Sequence, residues 1–292
     1  MRVLITIPHY VEAGKGQYGS TGGDVARRAA VLEEVVTTLH RTFGARQSQL
    51  LNRRHNVRRR VNGGAEAVLD VIVCTTRDRH ALNELRVEGA PFTHRPGNAE
   101  PLFLGFDCHA ALAERSGAYD WYGYMEDDLL LHDPMFFVKL GWFLDNVGPD
   151  AVLLPHRYEI ESGSPEKLYI DGHLSSDFAA PWQTVADRGR LTGRLLGMPV
   201  AFERPNNPHA GCFFLSAGQM AHWTAQPHFA DRDTSFAGPL ESAASLGIMK
   251  TFRIYKPAPE SAAFLEIRHA ANRYLGNWLD RPGVPAEPTW ID

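Results

Sequence analysis

Cysteine is scarce in this chain. Cys74, Cys108 and Cys212 are the three among 292 residues. They are far apart, odd in number and set in apolar surroundings, which argues against a disulfide framework or a zinc site and for the reduced thiols of a cytoplasmic protein. Long apolar runs are missing too. The opening Met1-Arg2-Val3-Leu4-Ile5-Thr6-Ile7-Pro8 is too short for a signal peptide or a membrane span, and no other segment approaches the ~18 apolar residues a span needs. An integral membrane protein is therefore not expected. Charge of one sign is also lacking: the net charge is −4, so no global field selects for nucleic acid. There is no internal repeat and no low-complexity segment. A hydrophobic content of 44% with 22% charged residues is what remains. It fits one large α/β domain able to bury its own core without staples.

The pattern along the chain alternates strand and helix. Val3–Ile7, ended by Pro8, reads as a buried strand. The glycine-rich stretch from Gly14 to Gly23 reads as a loop. Asp24 then caps a helix over Val25–Thr42 with Val25, Ala29, Leu32, Val36 and Leu39 on one face. Val68–Thr75 is a second buried strand, and the two imply a parallel βαβ unit. Residues 98–116 read as a helix with Leu102, Phe106, His109, Ala110 and Ala113 on one face. Trp121–Met125 is a short aromatic strand. Asp133-Pro134 opens a helix over Met135–Asn146, and Ala151–Pro155 follows as a strand. Residues 157–210 read as loop-rich. Gly211–Ser216 is a strand, Ala217–Thr224 a helix, Leu240–Leu246 a helix opened by Gly238-Pro239, and Phe252–Tyr255 a strand. The tail from Pro282 reads as extended.

Glu126-Asp127-Asp128 follows directly on the aromatic strand. Three adjacent carboxylates at the end of a buried strand repel one another and lose hydration. No Lys or Arg lies within ten residues on either side, so a divalent cation is the expected neutraliser. Oxygen ligands suit Mg²⁺ or Mn²⁺, which commonly bridge a carboxylate to substrate phosphates. The position agrees, because ligands of open parallel sheets sit outside the carboxyl ends of the strands. For the same reason Pro8, His9 and Tyr10, with Thr76 and Arg77, are expected to border a nucleotide.

Tyr122-Gly123-Tyr124-Met125-Glu126-Asp127-Asp128-Leu129, followed by Asp133-Pro134-Met135-Phe136-Phe137, resembles the DXD region of GT-A type glycosyltransferases. The Glu-Asp-Asp-Leu form is most similar to the Golgi N-acetylglucosaminyltransferases. The segment Cys108–Tyr119 resembles the helix before DXD in the large family 2 of inverting enzymes, with Cys108-His109 where an Arg-Asn pair is expected. Gly238-Pro239-Leu240-Glu241-Ser242 lies where those enzymes open a helix with a Glu-Asp pair, and Tyr255-Lys256-Pro257 to Arg268-His269 resembles the stretch whose histidine completes the metal shell.

The resemblance implies an α/β, Rossmann-like GT-A fold with a mixed, mostly parallel sheet flanked by helices. It implies a single domain over 1–292, with a nucleotide-binding half at 1–130 and a loop-rich acceptor half at 131–292. The implied activity is transfer of a sugar, with inversion, from a nucleoside-diphosphate sugar to a hydroxyl of a glycan, a lipid-linked sugar or a small molecule, as in hexosyl transfer for polysaccharide biosynthesis. Asp128 and His269 would hold Mn²⁺ or Mg²⁺. Glu126 and Asp127 would contact ribose and uracil-side groups, His109 would lie along the nucleotide, and Glu241 would be the general base. His209 and Gly211 would line the donor sugar, and Trp182 would stack on an acceptor sugar. Competing readings are a sugar nucleotidyltransferase, whose glycine-rich loop would be the stretch with Lys15, and a catalytically silent sugar-nucleotide-binding protein. A two-metal phosphoesterase would need more clustered His and Asp.

Arg53-Arg54-His55-Asn56-Val57-Arg58-Arg59-Arg60 stands apart, in an exposed insertion at 44–66. It is expected as a solvated loop. Two functional uses are open to it: peripheral contact with anionic lipid at the inner face of a membrane, which would suit a lipid-linked acceptor, or binding of an anionic polysaccharide.

Overall fold

The computed structural model describes residues 1–13, 22–45, 47–161, 163–172, 181–183, 189–270, 272 and 274–275. The glycine-rich stretch from residue 14 to 21, with Lys15, and the tail from Pro282 lie outside these residues.

In chain order the elements that matter are β1 (Arg2–His9), α1 (Val25–Phe43), β2 (Val68–Thr76), β3 (Thr93–Gly97) and α2 (Leu104–Ala113). There follow β4 (Trp121–Met125), β5 (Leu129–Leu130), α3 (Phe136–Val147), β6 (Ala151–Leu153), β7 (His156–Ile160) and β8 (Lys167–Tyr169). The chain continues through β9 (Leu191–Leu195), β10 (Met198–Glu203), β11 (Cys212–Ser216) and α4 (Ala217–Thr224). It closes with α5 (Pro239–Thr251), β12 (Arg253–Pro257) and β13 (Glu266–His269).

The main sheet has the order β11-β4-β1-β2-β3. β4, β1, β2 and β3 run parallel, and β11 is antiparallel on the β4 edge. This is the mixed, mostly parallel sheet flanked by helices that was expected. Both faces of β1 are buried from Val3 to Ile7, which is why that strand is an unbroken apolar run. On one face α1 and α3 meet through Phe43 and Phe137, whose rings lie 5.1 Å apart. On the other, α2 packs against α4 and α5. Gly123 in the middle of β4 has its own reason: a Cβ there would stand 2.8 Å from the Phe214 ring.

Two smaller four-stranded sheets, β6-β12-β10-β9 and β8-β7-β13-β5, complete the body. The segment 157–210, expected as loop, therefore contributes strands β7 to β10. The reason is legible on β7: Arg157 and Glu159 are its buried positions, so its inward face is charged and the usual apolar alternation is inverted. The insertion at 44–66 is also structured, as an exposed hairpin of Gln49–Asn52 and Val57–Arg60. Asp24 caps α1 as expected, its side chain accepting from Ala26 N at 2.9 Å. No helix among the described residues is long and apolar enough to cross a membrane, and the three cysteines are free and buried.

Candidate active site

β1, β2 and β4 end together, and the chain leaving β4 carries the three acids. Asp127 is 5% exposed and gripped from two elements. Arg28 Nη2, from the first turns of α1, donates to Asp127 Oδ1 at 2.7 Å and Oδ2 at 2.5 Å. His9, the last residue of β1, meets Asp127 Oδ2 through Nδ1 at 2.5 Å. Its other nitrogen, Nε2, accepts from Ala81 N at 3.1 Å, so Nδ1 carries the proton. The positive charge beside Asp127 is thus an arginine 99 residues away in sequence. Asp127 is buried with both carboxylate oxygens engaged by protein groups.

Asp128 faces the other way. Its Oδ2 lies 3.3 Å from His269 Nε2, while its buried Oδ1 has no hydrogen-bond partner among the described residues. Antiparallel register between β13 and β5, with His269 opposite Leu129, sets this approach. Ala270 N donating to Asp128 O at 2.8 Å extends it. The far nitrogen of His269, Nδ1, meets Glu159 Oε1 at 2.7 Å. Glu159 is itself held by the backbone N–H groups of Tyr274 and Leu275. Burial works against the imidazolium, but Asp128 and Glu159 outweigh it and push His269 up to about 9. Burial likewise opposes the Asp128 carboxylate, yet His269 and the nearby Arg28 hold it below its ordinary range.

Glu126 is partly buried against Gly211. Its N–H donates to Gly211 O at 2.9 Å, and a Cβ on Gly211 would stand 2.6 Å from Glu126 Oε2. With φ at +63°, residue 211 takes a conformation that favours glycine, and a Cβ there would also displace the Glu126 carboxylate. Burial first, and then repulsion from Asp128, raise the Glu126 pKa. The charge of Glu241 contributes to that rise, which brings the first turn of α5 within electrostatic reach of the acids. The Glu241 side chain makes no hydrogen bond or ion pair among the described residues. Ser242 beside it is buried, its Oγ donating to Phe236 O at 2.9 Å.

A cationic group that the sequence reading missed lies behind the acids. Arg157 donates through Nε to Asp171 Oδ1 at 2.9 Å, and Lys256 Nζ to Asp171 Oδ2 at 3.0 Å. All three are buried, and two cations share one carboxylate. Lys256 also donates to His209 O at 2.7 Å. Burial and the Arg157 charge push the His209 pKa well below its ordinary value, so its ring is neutral. His209 Nε2 lies 3.9 Å from Glu126 Oε1.

No protein-family model matches the chain, and no curated protein does. Among solved structures, S. aureus TarS 1-349 superposes with a TM-score of 0.45 at 9% identity, over 93% of this chain and 61% of that one. TarS 1-349 in complex with UDP gives 0.44 at 12% identity, over 88% and 57%. A longer TarS structure gives 0.42 at 10% identity, over 89% and 35%. The chain spans about three-fifths of the length of the first of these. At this level the similarity assigns nothing to individual residues.

The structure therefore brings His9, Glu126, Asp127, Asp128, His209, Gly211 and His269 together, with Glu241 near enough for its charge to be felt by Glu126. His109 is not among them. Its ring sits between Tyr124, Phe213, Trp223 and Phe106, and its Nε2 bonds Ala243 O at 2.9 Å. It ties α2 to α5 inside the core, leaving no free edge for a nucleotide. Pro8 lies within β1, which runs on to His9. Tyr10 is 8% exposed and its hydroxyl donates to Glu12 at 2.6 Å. At the end of β2, Thr76 is buried with an unpartnered Oγ1 among the described residues. Arg77 is exposed at a φ of +52° and makes no ion pair there. Trp182 packs edge-on against Phe236 and donates to Ser235 Oγ at 3.0 Å. One signal for Arg28 was present in the sequence: it falls on the apolar stripe of α1, three residues after Val25 and four before Leu32.

Proposed function

We propose that this chain is a metal-dependent glycosyltransferase that moves a sugar from a nucleoside-diphosphate sugar to a hydroxyl acceptor with inversion. The observation that carries the reading is Asp128: a buried carboxylate at the carboxyl end of a parallel sheet with one oxygen unpartnered and a histidine beside the other. Those residues fit a divalent cation. Asp128 and His269 Nε2 would hold it, with Glu159 on the far nitrogen fixing the ring as carboxylates behind metal-bound histidines do. No group of three or more His, Cys, Asp or Glu is placed to hold a metal ion among the described residues, so the remaining positions would fall to phosphate oxygens and water, as is usual for Mg²⁺ or Mn²⁺ in phosphate sites. When bound, the ion would stabilise the charge that develops on the departing nucleoside diphosphate.

The other residues take complementary parts. Arg28 and His9 lock Asp127, and with it the backbone that presents Asp128. Arg157 and Lys256 supply an excess of positive charge behind the acids. Glu126, pressed against Gly211, faces the donor. The Glu241 carboxylate accepts the proton of the acceptor hydroxyl as that oxygen attacks the anomeric carbon.

The test is a thermal-shift screen of nucleoside-diphosphate sugars with Mn²⁺, followed by product analysis with the donor that binds. A donor at about a hundred times its Kd stabilises the fold by ~2.7 kcal/mol. Asp128→Asn should abolish the metal-dependent part of that shift. Glu241→Gln should keep it while lowering turnover by about 10²–10⁴-fold. Metal-dependent donor binding that survives in both Asp128→Asn and His269→Ala would overturn the assignment.

A further inference from the structure

The hairpin of Gln49–Asn52 and Val57–Arg60 stands clear of the body. Every residue from Gln49 to Arg60 is exposed. Its turn is well built: Asn52 Oδ1 accepts from the N–H groups of Arg54 and His55 at 3.1 and 3.2 Å, and Asn56 takes the left-handed conformation at a φ of +50°. A two-stranded hairpin is at best marginally stable alone, and this one displays apolar side chains. Leu50, Leu51 and Val57 are 54%, 53% and 52% exposed. The register pairs Leu50 with Arg59 and Leu51 with Arg58, so each face carries an aliphatic side chain directly beside a guanidinium. Gln49, Leu51, Asn56 and Arg58 line an open concavity on one of those faces.

The charge around it is one-sided. Five arginines lie between Arg53 and Arg60, and no Asp or Glu occurs between Glu34 and Glu66. Arg60 pairs with Glu66. Arg53, Arg54, Arg58 and Arg59 make no ion pair among the described residues.

We propose that this hairpin is a docking element for membranes rich in anionic phospholipid. The arginines bind headgroup phosphates, and Leu50, Leu51 and Val57 enter the boundary between headgroup and acyl chain. A soluble polyanion would satisfy the arginines but would have no use for aliphatic side chains on both faces, so the bilayer is the occupant this surface fits.

The hairpin joins the C-terminus of α1 to the start of β2, where Ala67 N bonds Phe43 O and Val68 N bonds Met1 O. That is the amino end of the parallel strands, opposite the acids. Docking there holds the protein on a surface and leaves the carboxyl end of the sheet free. It does not feed a lipid-linked acceptor directly into the site, the use the sequence had suggested. The proposal does not depend on the glycosyltransferase reading.

Co-sedimentation of the full chain with vesicles tests it. The wild type should bind vesicles of phosphatidylcholine mixed with phosphatidylglycerol, more weakly as salt rises, and should not bind phosphatidylcholine alone. A variant with Arg53, Arg54, Arg58 and Arg59 changed to Ser should lose roughly tenfold or more in partitioning. One with Leu50→Ser, Leu51→Ser and Val57→Ser should lose it as well. Both should melt at the wild-type temperature, because the positions are exposed. As an independent check that needs no loss of function, Leu51→Trp should add fluorescence quenched by brominated anionic lipid. Failure of the wild type to bind, wild-type binding by the aliphatic variant, or an absence of added quenching would overturn the proposal. So would tighter binding to a soluble polyanion such as heparin or single-stranded DNA than to the vesicles.

Discussion

At the scale of single residues, the acids of the site are sorted by what lies opposite each of them. Asp127 is engaged by Arg28 and His9, Asp128 keeps an oxygen unpartnered among the described residues, and Glu126 sits in a crowded half-buried position whose ionisation is opposed by burial and by Asp128. The Arg28–Asp127 pair is buried on both sides, with side chains 11% and 6% exposed. Removing one partner of such a pair strands the other charge, while removing both does not. Arg28→Met should therefore lower stability by about 3–5 kcal/mol, read by urea unfolding. Arg28→Met combined with Asp127→Asn should recover much of the loss. Equal stability of Arg28→Met and the wild type would mean that the pair is solvated. Arg28 lies on the apolar stripe of α1, yet helical periodicity says only that a residue faces inward. It does not say which acid waits there.

At the scale of elements, α2 and α5 are joined by His109, and the joint is sensitive to acid. Burial drives its pKa from 6.5 down to about 4, with the bond to Ala243 O only partly opposing. The unfolded chain takes up a proton below its ordinary pKa, and the folded chain does not until about 4. Stability contributed by the neutral ring is therefore complete above 6.5 and is lost as pH falls through that window, by up to about 3 kcal/mol. Urea unfolding at neutral pH and near pH 4.5 should show this loss. In His109→Gln, which keeps a donor for Ala243 O but cannot titrate, the difference between the two pH values should be clearly smaller. A variant with the wild-type pH dependence would assign the acid sensitivity elsewhere. Spacing marked a helix over 98–116, but the helix is Leu104–Ala113, and Ala110, expected on its inward face, is exposed. What its histidine faces was not legible, because an inward histidine and a ligand-facing one leave the same mark on a helical pattern.

At the scale of the whole molecule, the buried group Arg157–Asp171–Lys256 binds β7 to β12 and so couples the two smaller sheets behind the acids. Asp171→Asn leaves two buried cations without their counter-charge and should destabilise by about 3 kcal/mol or more. Lys256→Met retains the Arg157–Asp171 pair and should be the milder change. Thermal melting of the two variants gives the order, and the reverse order would show that Lys256 carries the joint. By itself the sequence determined β1, α1 with its start, β2 and β4, because burial on both sheet faces writes unbroken apolar runs and because a cap such as Asp24 acts within one turn. It also determined that three acids must meet something positive. Only the tertiary structure decided what that is, since His9 and Asp127, Arg28 and Asp127, and His269 and Glu159 lie 118, 99 and 110 residues apart. Local patterns record which way a side chain points. Coulomb energy depends on the distance between charges, and sheet order together with strand register sets that distance.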